Sequence, residues 1–241
     1  MQTLDDFKNG QVLLIDKPLT WTSFQAVNKL RWSIKQAFNI KKIKVGHAGT
    51  LDPLATGLLV ICTGKMTKQI STFQGQEKEY TGTFILGSTT PSYDLETEID
   101  ATFATAHITE DLIYKTTHKF IGKIEQYPPV FSAIKKEGKR LYEFARAGED
   151  VEIKSRLVEI TAFEITKITS LKTDKNDNLN NSLALNFRVV CSKGTYIRSL
   201  AYDFGKALNS GAHLSVLRRT RIGDFKVENA LTPELFIANL P

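Results

Sequence analysis

From Leu183 to Cys191 the chain is apolar at every second position: Leu183, Leu185, Phe187, Val189 and Cys191 alternate with positions that include Asn186 and Arg188. Only an extended strand puts alternate side chains on one face, so this segment predicts a strand with one buried side. Upstream, Val158 to Ile168 is rich in β-branched residues, which fit a pleated surface. Between the two, Ser170 to Ser182 is dense in Lys, Asp and Asn. Two strand patterns joined by a polar stretch predict a long hairpin. A hairpin with one apolar face needs a further layer to cover it.

That layer is available. Phe24, Val27, Leu30, Ile34 and Phe38 recur at helical spacing, and Thr22 with Gln25 forms a capping-box start before them. Thr109 to Phe120 and Leu141 to Arg146 read as helices. Gly194-Thr195 opens another that runs through Leu208, with Tyr196, Leu200, Phe204 and Leu208 on one stripe. Strands are expected at Val12 to Ile15, Gly57 to Cys62, Tyr80 to Leu86, Val130 to Ile134 and Leu214 to Leu217. Strands outnumber helices without alternating strictly with them, which predicts an α+β (mixed α/β) chain.

With 241 residues the chain can bury a sizeable core. Its hydrophobic and charged fractions, 41% and 24%, exclude a disordered chain and a membrane bundle. No apolar stretch reaches the roughly 20 residues a bilayer demands. Met1 to Gly10 is polar and does not read as a signal peptide. Two cysteines, Cys62 and Cys191, sit in apolar runs without metal-ligand spacing, so they read as buried thiols of a cytoplasmic protein. A formal charge of +6 leans toward acidic partners such as nucleic acid.

Three places can carry chemistry. Gly46 to Gly57 (GHAGTLDPLATG) packs three glycines and a proline into a loop that leads straight into an apolar strand. Such a loop can present the Asp52 carboxylate and the His47 imidazole from a rigid base. Composition alone favours an ordinary turn there, with Asp52 bonding nearby backbone. Arg198 falls between apolar Ile197 and Leu200 near the start of a helix; a partly buried guanidinium needs a carboxylate, and Asp52 is one candidate. Basic residues mixed with aromatics form two stretches: Lys29, Arg31, Trp32, Lys35, Lys41, Lys42 and Lys44, then Arg218, Arg219 and Arg221. These are solvated faces or phosphate contacts. No P-loop, dinucleotide fingerprint, zinc-protease or nucleophile-elbow motif is present, and the four histidines are scattered, which argues against a metal or nucleotide cofactor.

The Gly46–Leu59 run GHAGTLDPLATGLL closely resembles the catalytic motif of bacterial TruB-type tRNA pseudouridine synthases. Leu14-Ile15-Asp16-Lys17-Pro18 with Thr22-Ser23 resembles the family's first motif, and Lys78-Glu79-Tyr80 its tyrosine motif. Gln126-Tyr127-Pro128-Pro129, Ser132-Ala133 and Gly138 to Arg146 resemble its central block. Gly194 to Leu200 resembles its arginine motif, and Gly211 to Thr220 the one after it. The resemblance spans Gln11 to Phe225 in the family's order.

It implies a pseudouridine synthase fold: a central, mostly antiparallel mixed sheet flanked by helices, with an RNA-binding cleft. It implies one catalytic domain over 1–241, in a form without the C-terminal RNA-binding PUA domain that many members carry. It implies conversion of uridine 55 in the tRNA T loop to pseudouridine, with no cofactor, metal or energy source. By the same resemblance Asp52 is the catalytic carboxylate, acting on the sugar as a nucleophile or by removing a C2′ proton. Arg198 pairs with it, and Tyr80 stacks on the flipped base and serves the proton step. His47 pushes into the T loop, and Tyr196 and Leu217 line the uridine pocket. Lys17 and Pro18 are expected as scaffold. Lys41, Lys42, Lys44, Arg218, Arg219 and Arg221 are the expected RNA backbone contacts. The expected partner is the T arm of tRNA, with no membrane or metal partner, and a monomer is expected. The alternative is a non-catalytic tRNA-folding factor with the same grip; a metal-dependent hydrolase using Asp52 and His47 is a third reading.

Overall fold

The computed structural model describes residues 3–136, 138–171 and 182–241. In chain order its main elements begin with α1 (Leu4–Asn9), β1 (Val12–Lys17), α2 (Ser23–Ala37), β2 (Val45–His47), β3 (Ala55–Thr63), α3 (Ile70–Gly75) and β4 (Lys78–Leu86). They continue with α4 (Glu110–Thr117), β5 (Gly122–Gln126), α5 (Leu141–Ala147), β6 (Arg156–Leu171), β7 (Ser182–Cys191), α6 (Ile197–Ala207), β8 (Ala212–Ile222) and α7 (Pro233–Ala238). The sequence reading takes 1–241 as one domain; the chain folds as two compact units, Met1–Thr81 with Leu217–Pro241, and Gly82–Val216. The boundary falls inside β4 and inside β8, so each unit holds part of that strand pair.

In the first unit the strand order is β1-β3-β8-β4, with β2 also paired to β3. β1 and β2 run antiparallel to β3, while β8 runs parallel to it, so the sheet is mixed. β3 is buried almost throughout and reads as a continuous apolar run, as a central strand covered on both faces must. Leu59 and Ile61 join Leu13 and Ile15 of β1 under the apolar stripe Ala26, Val27, Leu30 and Ile34 of α2, with Phe236 of α7. Leu58 and Val60 face the other way, toward Ile222 and Val227. The capping box at the start of α2 forms as expected: Thr22 Oγ1 accepts from the Gln25 amide at 3.0 Å and Gln25 Oε1 from the Thr22 amide at 2.7 Å.

In the second unit the order is β8-β4-β7-β6-β5. The expected hairpin is there: β6 and β7 pair antiparallel out to Leu171 opposite Ser182. Of the polar insert expected at Ser170 to Ser182, residues 172–181 lie outside the described residues. Phe84, Phe163, Phe187 and Phe204 meet in an aromatic core between the strands and α6.

One expected strand does not form. Val130 to Ile134 is irregular. It follows Pro128-Pro129, and its backbone groups find partners outside a ladder. The Phe131 carbonyl accepts from Arg198, the Ser132 carbonyl from the Tyr142 amide at 3.1 Å, and the Ile134 carbonyl from the Leu141 amide at 2.8 Å. Both cysteines are buried and neither is in a disulfide, Cys62 in the first unit and Cys191 in the second. No helix among the described residues is long and apolar enough to cross a membrane.

Candidate active site

Asp52 lies in the loop joining β2 to β3, within the first unit. Each part of that loop is tied down by a different element. The Ala48 amide donates to the Val60 carbonyl at 2.8 Å, continuing the β2–β3 ladder to the loop's edge. Ser23, in the first turn of α2, exchanges two hydrogen bonds with Leu51, accepting from its amide at 2.8 Å and donating to its carbonyl at 3.1 Å. The Thr20 amide donates to the Pro53 carbonyl at 2.9 Å, and the Asp52 carbonyl accepts from the Ala55 amide at 3.1 Å. Asp52 is therefore held on both sides in sequence while its side chain stays partly exposed.

Two buried cations lie beneath it. Lys17 continues the alternation of Leu13 and Ile15 onto the buried face of β1 and is fully buried. Its Nζ donates to the carbonyls of Pro18 at 2.9 Å and Trp21 at 2.6 Å. Burial pushes its pKa down to about 8; the Asp52 carboxylate pulls it up and Arg219 pushes it further down. Lys17, expected only as scaffold, is thus a charge close enough to feel the proposed catalytic acid.

The structure corrects the reading of Arg219. Expected as an RNA backbone contact, it is 1% exposed. Its guanidinium donates to the carbonyls of Leu58 (Nε, 2.8 Å), Gly49 (Nη2, 3.1 Å) and Thr50 (Nη1, 3.5 Å). It pins the Asp52 loop from inside and is not available to a phosphate. The alternation already pointed there, because Leu217 and Arg219 fall on the same buried side of β8. Arg218 forms a two-point pair with Asp16 at 2.7 and 3.0 Å, and Arg221 lies 2.9 Å from Glu77 and 3.9 Å from Glu79. Both arginines already face carboxylates of the chain. Lys41, Lys42 and Lys44 are exposed, as phosphate contacts have to be.

Leu217 and His47 border the same loop. Leu217 is buried and stands opposite Ala55 in the parallel β8–β3 register. His47 ends β2; burial lowers its pKa, a Gly49 backbone hydrogen bond opposes that, and Arg219 adds to the lowering. Tyr80 is 9% exposed on β4.

In the second unit Arg198 occupies the first turn of α6 and is 3% exposed. Its Nε lies 3.5 Å from the Asp94 carboxylate, and Nη1 donates to the carbonyls of Phe131 at 3.0 Å and Ser92 at 3.3 Å. Asp94 is itself buried. Its carbonyl accepts from Thr90 Oγ1 at 2.6 Å and Ser92 Oγ at 3.1 Å, and its Oδ1 accepts from the Glu96 amide at 3.0 Å. Sequence reasoning offered Asp52 as a carboxylate for Arg198 and passed over Asp94. The missed signal was the hydroxyl-dense run Thr89-Thr90-Pro91-Ser92 just before it, a composition that folds on itself to fix a polar turn. Tyr196 caps α6 from outside. Its amide donates to Gln126 Oε1 at 2.8 Å, and its carbonyl accepts from Gln126 Nε2 at 3.1 Å. Among the described residues no three His, Cys, Asp or Glu side chains gather as a metal-ligand group, so Asp52 and His47 gain no third ligand.

A family model described as TruB family pseudouridylate synthase (N terminal domain) matches residues 35–197, and one for the tRNA pseudouridylate synthase B C-terminal domain matches residues 198–238. The chain belongs to the TruB family. The tRNA pseudouridine synthase B of Flavobacterium johnsoniae is 63% identical over 239 residues, 99% of each chain. That of Phocaeicola vulgatus is 56% identical, covering 96% of this chain and 93% of that one. Among solved structures, a chain of a Cbf5-Nop10-Gar1 complex matches with a TM-score of 0.64 at 30% identity, over 96% of this chain and 54% of that one. A chain of an H/ACA RNP bound to a substrate RNA containing 2′-deoxyuridine matches with a TM-score of 0.63 at 28% identity, over 96% and 53%. This chain spans about half the length of those two solved chains. The pseudouridine synthase fold expected from the motifs is the fold observed, and the chain is an enzyme of the TruB family.

Proposed function

We propose that this chain isomerises uridine 55 in the T loop of tRNA to pseudouridine, with Asp52 as the reacting carboxylate. Family membership and relatives named tRNA pseudouridine synthase B support the substrate class. The observation that carries the residue assignment is the loop itself. Ser23, Thr20 and Arg219 hold the backbone of the loop that carries the Asp52 carboxylate, and a buried lysine senses its charge. A carboxylate facing a dry base pocket must stay ionised to act, and a fixed cation nearby offsets its desolvation.

In the reaction the bond between N1 and C1′ breaks, the uracil turns, C5 joins C1′, the C5 hydrogen leaves as a proton, and N1 takes up a proton. Asp52 acts at C1′ or removes the C2′ proton; both routes return it unchanged. The base must first leave its stack, which costs a few kcal/mol that stacking on a ring such as Tyr80 offsets. His47 fills space in the opened loop, and Tyr196 and Leu217 bound the base. Arg198 serves the same reaction. Its fork is aimed by Asp94 and two carbonyls, and a lysine there would keep the charge without the geometry.

The test is tritium release from unmodified tRNA transcript labelled at C5 of uridine, since forming the C5–C1′ bond expels that hydrogen. Wild type is expected to release it and Asp52→Asn to bind transcript without release. A transcript with cytidine at position 55 is expected to release none. Binding without release by wild type would leave the folding-factor reading in possession.

A further inference from the structure

Between Asp16 and Asp52 the chain has no carboxylate, yet it carries seven basic residues: Lys17, Lys29, Arg31, Lys35, Lys41, Lys42 and Lys44. Lys17 is buried under the Asp52 loop and Arg31 is tied down, its Nη2 donating to the Val45 carbonyl and its Nη1 to Asn28, both at 2.9 Å. The other five lie on α2 and the loop after it, at least partly open to solvent. Two large rings stand out among them: Phe24 is 66% exposed and Trp32 57%.

Helical geometry puts both rings and Lys35 on one face of α2. Phe24, Asn28, Trp32 and Lys35 follow at spacings of four, four and three, opposite the buried stripe Ala26, Val27, Leu30 and Ile34. α7, which carries the carboxylate Glu234, packs through Phe236 onto the buried stripe. The Lys29 ammonium lies 5.6 Å from the Trp32 ring centroid. Phe24 and Trp32 are about 12 Å apart along the axis, from eight residues at helical rise. Phe24 adjoins Ser23, which clamps Leu51, so the face begins at the Asp52 loop and leads away from it.

We infer that the exposed face of α2 is a second RNA-holding surface, distinct from the base pocket. It grips the substrate RNA beyond the flipped nucleotide. Lys29 and Lys35 take phosphates in line with Lys41, Lys42 and Lys44, and Trp32 stacks on the face of an unstacked base. Exposed rings interleaved with uncompensated lysines are the chemistry that holds RNA without reading its sequence. A protein partner of ordinary composition would not need five lysines with no acid among them. The identity of the RNA as tRNA rests on the function proposed above.

Equilibrium binding of unmodified tRNA transcript, across a series of salt concentrations, tests it. Trp32→Ala is expected to weaken binding roughly ten-fold, with Trp32→Phe recovering most of the loss. The double variant Lys29→Gln/Lys35→Gln is expected to weaken binding and to lower the slope of log affinity against log salt by about 1.5 to 2. Folded variants, by circular dichroism, that bind with wild-type affinity and slope would overturn the inference. So would variants that bind RNA normally but lose self-association by light scattering, which would make the face a contact between copies. Wild type that binds transcript but releases no tritium would instead count against the isomerase reading, and the α2 variants would still decide the surface.

Discussion

Two buried cations organise the neighbourhood of Asp52, and their removal has separable effects. Arg219 donates to three carbonyls, and the one it meets on Leu58 is fully buried. Arg219→Ala leaves them without that donor, and a loss of about 3 kcal/mol or more in urea unfolding is expected, with tritium release falling as the loop loosens. Arg219→Lys should recover only part, because an ammonium cannot span the three acceptors as the planar fork does. Lys17 behaves differently. Its pKa is about 8 when folded, against an ordinary 10.5. Between those values the folded state holds fewer protons than the unfolded one, so stability from this group rises with pH across that window and is lowest below it. The urea midpoint of wild type relative to Lys17→Met is therefore expected to climb from pH 8 to pH 10. A flat difference would mean Lys17 titrates as an ordinary lysine. Both roles were half-legible in the sequence: the period of two put Lys17 and Arg219 on buried faces, but no pattern shows what a buried charge meets.

At the scale of elements, the parallel contact between β8 and β3 sets how close the loop can come to its support. Gly57 has a φ of +102°, and a Cβ there would sit 2.3 Å from the Arg219 carbonyl oxygen. Gly57→Ala is expected to cost about 2 to 4 kcal/mol in unfolding free energy, because backbone rather than a pliable side chain stands in the way. The elements that periodicity announces clearly formed where expected: α2 with its capping box, the β6–β7 alternation and the stripe of α6. Short elements with little internal pattern, such as β2 and α7, were invisible, since three to six residues cannot display a period. Val130 to Ile134 shows the opposite failure. Its composition suits a strand, but its carbonyls are claimed by Arg198 and the start of α5, a tertiary demand that no local signal carries.

Over the whole molecule, charge is distributed unevenly, and the stretch from Lys17 to Leu51 holds seven Lys and Arg residues and no Asp or Glu. Neutralising Lys41, Lys42 and Lys44 together is expected to weaken tRNA binding and reduce its salt slope by roughly 2 to 3, while an unchanged slope would mark them as solvated only. The motif order made the family legible along nearly the full chain, because the catalytic segments are short and dense in Gly, Pro and charge. The division into two compact units was not, since it cuts through β4 and β8 rather than through a linker.

Each of those units encloses one cysteine, and neither thiol is solvent-accessible in the folded chain. Burial alone pushes the Cys62 thiol up to about 11, so at neutral pH it is almost never the reactive thiolate. The protein thus carries a pair of built-in clocks. Under pulses of alkylating reagent, the label on Cys62 times the opening of one unit and the label on Cys191 that of the other. Peptide mass spectrometry can then read, without any engineered probe, whether the molecule comes apart all at once or in halves.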